Sequence, residues 1–176
     1  MDSSLFGNSR IWARLRGGGM RVLAGAAFLS ALCLTMGAHG YEVRKGVVAV
    51  QDPWTNATLR LAAGNALYLT VRNTGAAPLK LTGASSPKGS ATLHESVAGA
   101  DGVVRMMRLL SLEIAPGETA AFKPEGMHIM LTGLAAGLRE NETVPLTLMF
   151  ENADAVTVEV MVESTRATKA RNRPNP

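Results

Sequence analysis

Along most of this chain hydrophobic and polar positions alternate in short runs instead of recurring every three or four residues. Leu67-Tyr68-Leu69-Thr70-Val71-Arg72 alternates and stops at the turn signal Asn73-Thr74-Gly75, and Val156-Thr157-Val158-Glu159-Val160-Met161-Val162-Glu163 alternates more cleanly still. A period of two sends successive side chains to opposite faces, so each run predicts a strand with one apolar and one polar face. Residues 47–50, 80–83, 92–96, 103–109, 119–123, 127–131 and 145–150 supply further strands, separated by Gly, Pro and Asn. No segment carries a convincing helical period, although Ala135-Ala136-Gly137-Leu138 allows one helical turn. Seven to nine strands of this length with turns between them predict an all-β domain, a Greek-key β-sandwich or barrel.

The two ends break this pattern. Arg10, Arg14, Arg16 and Arg21 stand against a single Asp2 at the start, and an uncharged apolar run follows over residues 22–36. That run is short for a mature membrane span and reads as the core of a secretory signal peptide, residues 1–40. Ala38 and Gly40 are the small pair that cleavage requires, so the mature chain begins at Tyr41. Cys33 lies within the apolar run, and Leu32 before it does not suit a lipoprotein cleavage site, so lipidation is not expected.

Charge adds little once it is located. The chain has 18 Lys and Arg against 14 Asp and Glu and a pI of about 9.6. Four of those cations belong to the leader, and Arg166, Lys169, Arg171 and Arg173 belong to the end of the chain. The body between residues 41 and 165 is mildly acidic, which argues against a nucleic-acid surface. Three segments result: a leader over 1–40, a β domain over 41–165, and a basic tail over 166–176 read as disordered. Asn56-Ala57-Thr58 and Asn141-Glu142-Thr143 match the glycosylation pattern and read as exposed loops.

Cys33 is the one cysteine of the chain, and it leaves with the leader. The mature protein then has no disulfide, no thiolate zinc site and no cysteine nucleophile. The glycine and histidine motifs of nucleotide-binding proteins, serine hydrolases and zinc proteases are also missing. What remains is a small set of soft donors. His94 and His128 are the two histidines outside the leader region, and Met130 follows His128 by two, so on a strand these two share a face while Ile129 takes the other. Met106 and Met107 are neighbours and point to opposite faces if extended, so one of them can join a shared site and the other fills space. Alone, each of these residues has an ordinary structural explanation. Together, imidazole and thioether favour Cu(I) over Zn²⁺, Mg²⁺ or Ca²⁺, and without a cysteine they cannot build a blue-copper centre. A leader cut after Ala38 would instead expose His39 as an N-terminal chelator of Cu(II).

In order and spacing, His94, Met106, His128 and Met130 resemble the signature of the periplasmic copper chaperones of the PCu(A)C family. Pro53-Trp54, Tyr68, Asn73, Leu93-His94-Glu95, the run from Val104 to Met107, and Pro124-Glu125-Gly126-Met127-His128-Ile129-Met130-Leu131 extend the resemblance over roughly residues 42–163. The resemblance implies a cupredoxin-like β fold and one Cu(I) held by His94, Met106, His128 and Met130. It also implies a non-enzymatic, monomeric carrier in the periplasm. Its partner would be an apo copper acceptor, such as a cytochrome oxidase subunit or assembly factor, during assembly of the copper centre of a haem-copper oxidase. Two features depart from some members: Glu95 follows the first histidine where a methionine can stand, and the tail after Glu163 has neither His nor Met, which limits the expectation to one ion. The rival readings are a copper-sequestering resistance protein and a β-sandwich interaction module without metal. A copper oxidase would need a site richer in histidine.

Overall fold

The computed structural model describes residues 41–58 and 64–171. The leader, with Cys33 and His39, and the last five residues of the tail lie outside the described residues. Eleven strands and one helix follow in order: β1 (Glu42–Lys45), β2 (Val48–Asn56), β3 (Gly64–Asn73), β4 (Leu79–Ser85), β5 (Ser90–Ala98), β6 (Val104–Arg108), β7 (Leu112–Ile114), β8 (Thr119–Phe122), β9 (Met127–Thr132), β10 (Thr143–Phe150), β11 (Val156–Glu163) and α1 (Thr165–Arg171).

Hydrogen bonds join the strands in the order β6-β5-β9-β3-β2-β11-β10-β4-β7, with β1 beside β2 and β8 beside β3. All described pairings are antiparallel except β11 with β2, so the sheet is mixed and open at both ends. One apolar cluster draws on both arms of this path: Leu93, Ile129 and Leu131 from β5 and β9, and Leu81, Leu146 and Leu148 from β4 and β10. The arms therefore pack face to face, and the all-β sandwich expected from alternation is the fold observed, in agreement with the cupredoxin-like form that the family resemblance implies. In β11 the expectation holds residue by residue: Val156, Val158, Val160 and Val162 are buried, while Thr157, Glu159 and Met161 are exposed. Full burial of each such side chain stabilises the fold by about 1.5–3 kcal/mol.

Three local features depart from expectation. Strand β2 runs through Pro53, carried by a bulge: the register with β3 shifts by one between Gln51 and Trp54, and Asp52 takes a positive φ of 48°. Proline has no N–H to contribute to a ladder, and a bulge is where a strand tolerates it. Residues 135–138 form a bend and no helical turn. The start of the basic segment, read as disordered, instead folds into α1. Ser164 caps it, its Oγ accepting the Ala167 N–H at 3.1 Å, and the buried Thr168 donates its hydroxyl to Asn56 Oδ1. Asn56 thus closes a strand, half-buried against the helix, rather than sitting in an exposed loop.

Candidate metal centre

The β6-β5-β9-β3 arm has a core face and an outer face, and register decides which residues share the outer one. His94 stands directly opposite His128 across β5 and β9, and Thr92 opposite Met130. On the next strand Arg108 lies opposite His94 and Met106 opposite Ser96. Ala66 of β3 is the other neighbour of Met130. Directly opposed residues project to the same side. His94, His128, Met106, Met130 and Arg108 therefore occupy one face, with Met106 and Met130 on opposite flanks of the histidine pair. Leu93, Ile129 and Leu131 alternate with them into the core. Met107 pairs with Glu95 and projects to the side away from the histidines.

The histidine rings lie 5.9 Å apart between centroids, tilted by 59°. A tight turn orients one of them. Gly126, just before β9, offers a carbonyl that accepts from Ser96 N at 3.2 Å and from His128 Nδ1 at 3.1 Å. Because a carbonyl can only accept, Nδ1 carries the proton and Nε2 keeps its lone pair. A carbonyl partner on the far ring nitrogen is how a metal-binding imidazole is usually held. Glu125 makes the turn possible with a φ of 64°.

Among the described residues two buried ring nitrogens have no hydrogen-bond partner: Nδ1 of His94 and Nε2 of His128. An unsatisfied buried polar atom costs about 1–3 kcal/mol, and native structures rarely keep two side by side without a use for them. A cation between the rings removes that cost. The pKa of His94 is lowered, chiefly by burial and secondarily by the neighbouring His128 and Arg108, so its ring stays neutral and available as a donor at a lower pH than an exposed imidazole would.

Hard donors do not complete the set: among the described residues no three His, Cys, Asp or Glu side chains converge as a metal site. The remaining donors on this face are thioethers. Met106 lies on the edge strand β6, 62% exposed, and borders a cavity of about 550 Å³ with His128, Tyr68, Val104 and Glu125. Met130 is half-buried, and Gly64, diagonal to it on β3, leaves the space its sulfur uses: a Cβ at Gly64 would stand 3.2 Å from Met130 Sδ and 2.9 Å from the Leu131 carbonyl oxygen. Imidazole nitrogens with thioethers suit a soft monovalent ion.

Comparison with known proteins identifies the lineage. The model of the LpqE-like lipoprotein family matches residues 48–162, nearly the whole β domain. The chain belongs to the LpqE-like family. A relative named as a lipoprotein, Lxx21020 of Leifsonia xyli subsp. xyli, is 35% identical over 121 residues, covering 66% of this chain and 69% of that protein. Among solved structures, the copper-bound PCuAC domain from PmoF2 aligns with a TM-score of 0.60 and 26% identity over 70% of this chain and 98% of that one. The Cu(I) form of DR1885 from Deinococcus radiodurans aligns with a TM-score of 0.50 and 26% identity over 73% of this chain and 84% of that one. The PCu(A)C resemblance read from ligand order therefore holds for family and fold.

The LpqE-like domain also carries residues at its centre that ligand spacing did not single out. Tyr68 borders the cavity, and burial raises its phenol pKa, which keeps it neutral. Trp54 stacks behind Tyr68 with ring centroids 4.5 Å apart, making it a brace for the cavity wall rather than a direct cover. Alternation along β6 puts Arg108 on the same side as Met106, while its place opposite His94 comes from the β5–β6 register.

Proposed function

We propose that this LpqE-like protein is an exported carrier of one Cu(I), held by His94, Met106, His128 and Met130. The observation that carries the reading is the pair of buried ring nitrogens without partners among the described residues, His94 Nδ1 and His128 Nε2, on two directly opposed histidines with thioethers on the same face. Copper-bound relatives in the same fold and the lipoprotein designation of the family support both the cargo and the export. We place the protein in the periplasm as a monomer that has lost its signal peptide.

The donors suggest how cargo would leave. All four are neutral, so nothing must be protonated for an incoming ligand to replace one of them. They differ sharply in access: Met106 is 62% exposed on the edge strand, whereas His128 is 4% exposed and tied to Gly126. An acceptor approaching over β6 meets Met106 first and displaces it, and His128 releases last. The acceptor in this reading is an apo copper protein, a cytochrome oxidase subunit or its assembly factor, and delivery serves the copper centre of a haem-copper oxidase. The protein contributes no chemistry beyond exchange, so it is not an enzyme.

Competition against a Cu(I) chelator tests the reading. The wild-type chain should take one Cu(I), and His128→Ala should lose affinity by more than about a hundredfold, beyond the 10–100-fold typical of losing an outer-shell partner. Unchanged binding by His128→Ala would sink the site. Growth of a deletion strain separates delivery from sequestration: delivery predicts failure of oxidase activity at low copper, and sequestration predicts sensitivity to excess copper.

A further inference from the structure

The candidate ligands account for four residues of the outer face, but a fifth side chain on that face carries a full charge. Arg108 is the direct cross-strand partner of His94, and Met106 is two residues before it on the same strand. Opposed residues in such a ladder have Cα atoms roughly 4.5–5.5 Å apart, so the Arg108 side chain starts beside His94, on the face of the histidine pair. Several cations on the surface are compensated: Arg105 pairs with Asp101, Arg44 with Glu42, and Lys80 with Glu151. Among the described residues Arg108 forms no salt bridge. Glu95 projects to the opposite side, opposite Met107, and Glu125 borders the cavity from the turn before β9 without pairing with Arg108.

We propose that Arg108 is a specificity-determining residue that makes the centre discriminate between monovalent and divalent copper by charge. This rests on the copper-carrier reading. Four neutral donors add no charge to the bound ion, so a fixed charge beside the site acts on the ion unscreened by its ligands' own charges. Coulomb repulsion is proportional to the charge of the ion, so one positive side chain penalises Cu(II) twice as heavily, in free energy, as Cu(I). The ligand softness that favours Cu(I) is thereby reinforced by a residue that touches no metal. The same charge moderates Cu(I) affinity, which suits a carrier that must release its cargo.

The proposal makes a relation between two numbers. For a unit charge some 7 Å away in a water-like medium, Arg108→Gln should raise Cu(I) affinity about threefold and Cu(II) affinity about ninefold, the square of the first. The reduction potential of the bound couple should then fall by about 28 mV, from 59 mV per tenfold for one electron. Arg108→Lys keeps the charge and should leave both affinities and the potential at wild-type values. At 1 M salt the screening length is near 3 Å, and the Arg108→Gln effect should largely vanish. Affinities are read by competition titration with each copper ion separately on the mature full chain. Thermal unfolding of the copper-free variants checks that the fold is intact. Equal changes for the two ions, or an unmoved potential, would overturn the role of Arg108 while leaving Cu(I) carriage standing. A wild-type chain that binds no Cu(I) would bring down both.

Discussion

The two faces of the β6-β5-β9-β3 arm are built from alternating residues of the same strands and solve opposite problems. On the core face Leu67, Leu93, Ile129 and Leu131 are at most 2% exposed and pack into the apolar cluster shared with the other arm. On the outer face His94 and His128 each bury a ring nitrogen that nothing among the described residues satisfies, and Met106 stands open to solvent. The core face is complete without a partner; the outer face leaves polar atoms unmet, which the proposed cation would satisfy. Alternation lets one strand serve both, because a rigid packed side holds the donors of the other side in place.

The largest expected effect comes from breaking the core face. Ile129→Ala, between His128 and Met130, should cost about 2–5 kcal/mol of stability, the range for deleting most of a buried aliphatic side chain. Denaturant unfolding of the copper-free protein measures it. If the division of labour is right, the folded fraction of this variant keeps much of its Cu(I) affinity, because no donor has been removed.

Next comes a contrast on the outer strand. Met106 and Met107 are neighbours with similar exposure, 62% and 57%, and project to opposite sides. Met106→Ala should weaken Cu(I) binding by about tenfold or more, at least the loss of an outer-shell partner, and Met107→Ala should leave it unchanged. Equal losses in the two variants would mean that faces do not sort the donors.

The smallest effect is that of pH. Protons compete with copper for the ring nitrogens, and a pKa lowered by burial means that His94 yields to protons only below the ordinary histidine range near 6.5. Cu(I) affinity should therefore hold down to about pH 6.5 and decline below it. The copper-free fold should lose stability over the same range as pH falls, since an unfolded His94 binds a proton more readily than the folded one. Chelator competition and thermal unfolding across pH 5 to 8 read both; stability that rises on acidification would contradict the buried neutral state of His94.

Much of this division is legible in the sequence, because alternation is a local property. Val156–Glu163 reveals its faces without any partner strand, and His128-Ile129-Met130 reveals that its donors share a side. What alternation cannot supply is register. That His94 faces His128 depends on the pairing of β5 with the more distant β9, and that Arg108 faces His94 depends on the register of the β5–β6 pair. Strands β1 and β7, of four and three residues, are too short to alternate visibly. The bulge at Asp52 and Pro53 looks like a strand end in one dimension and becomes a strand only when β3 and β11 flank it. Helix α1 is hidden for a related reason: a basic polar segment reads as solvated until Ser164 caps it and Thr168 meets Asn56 across the fold.

The central claim is that the outer face holds Cu(I) through two imidazoles and two thioethers. X-ray absorption at the copper edge of the Cu(I)-loaded protein tests it most directly. Two nitrogen and two sulfur neighbours are expected in the wild type, with one sulfur lost in Met106→Ala. A shell of nitrogen and oxygen alone, or one unaltered in that variant, would contradict it.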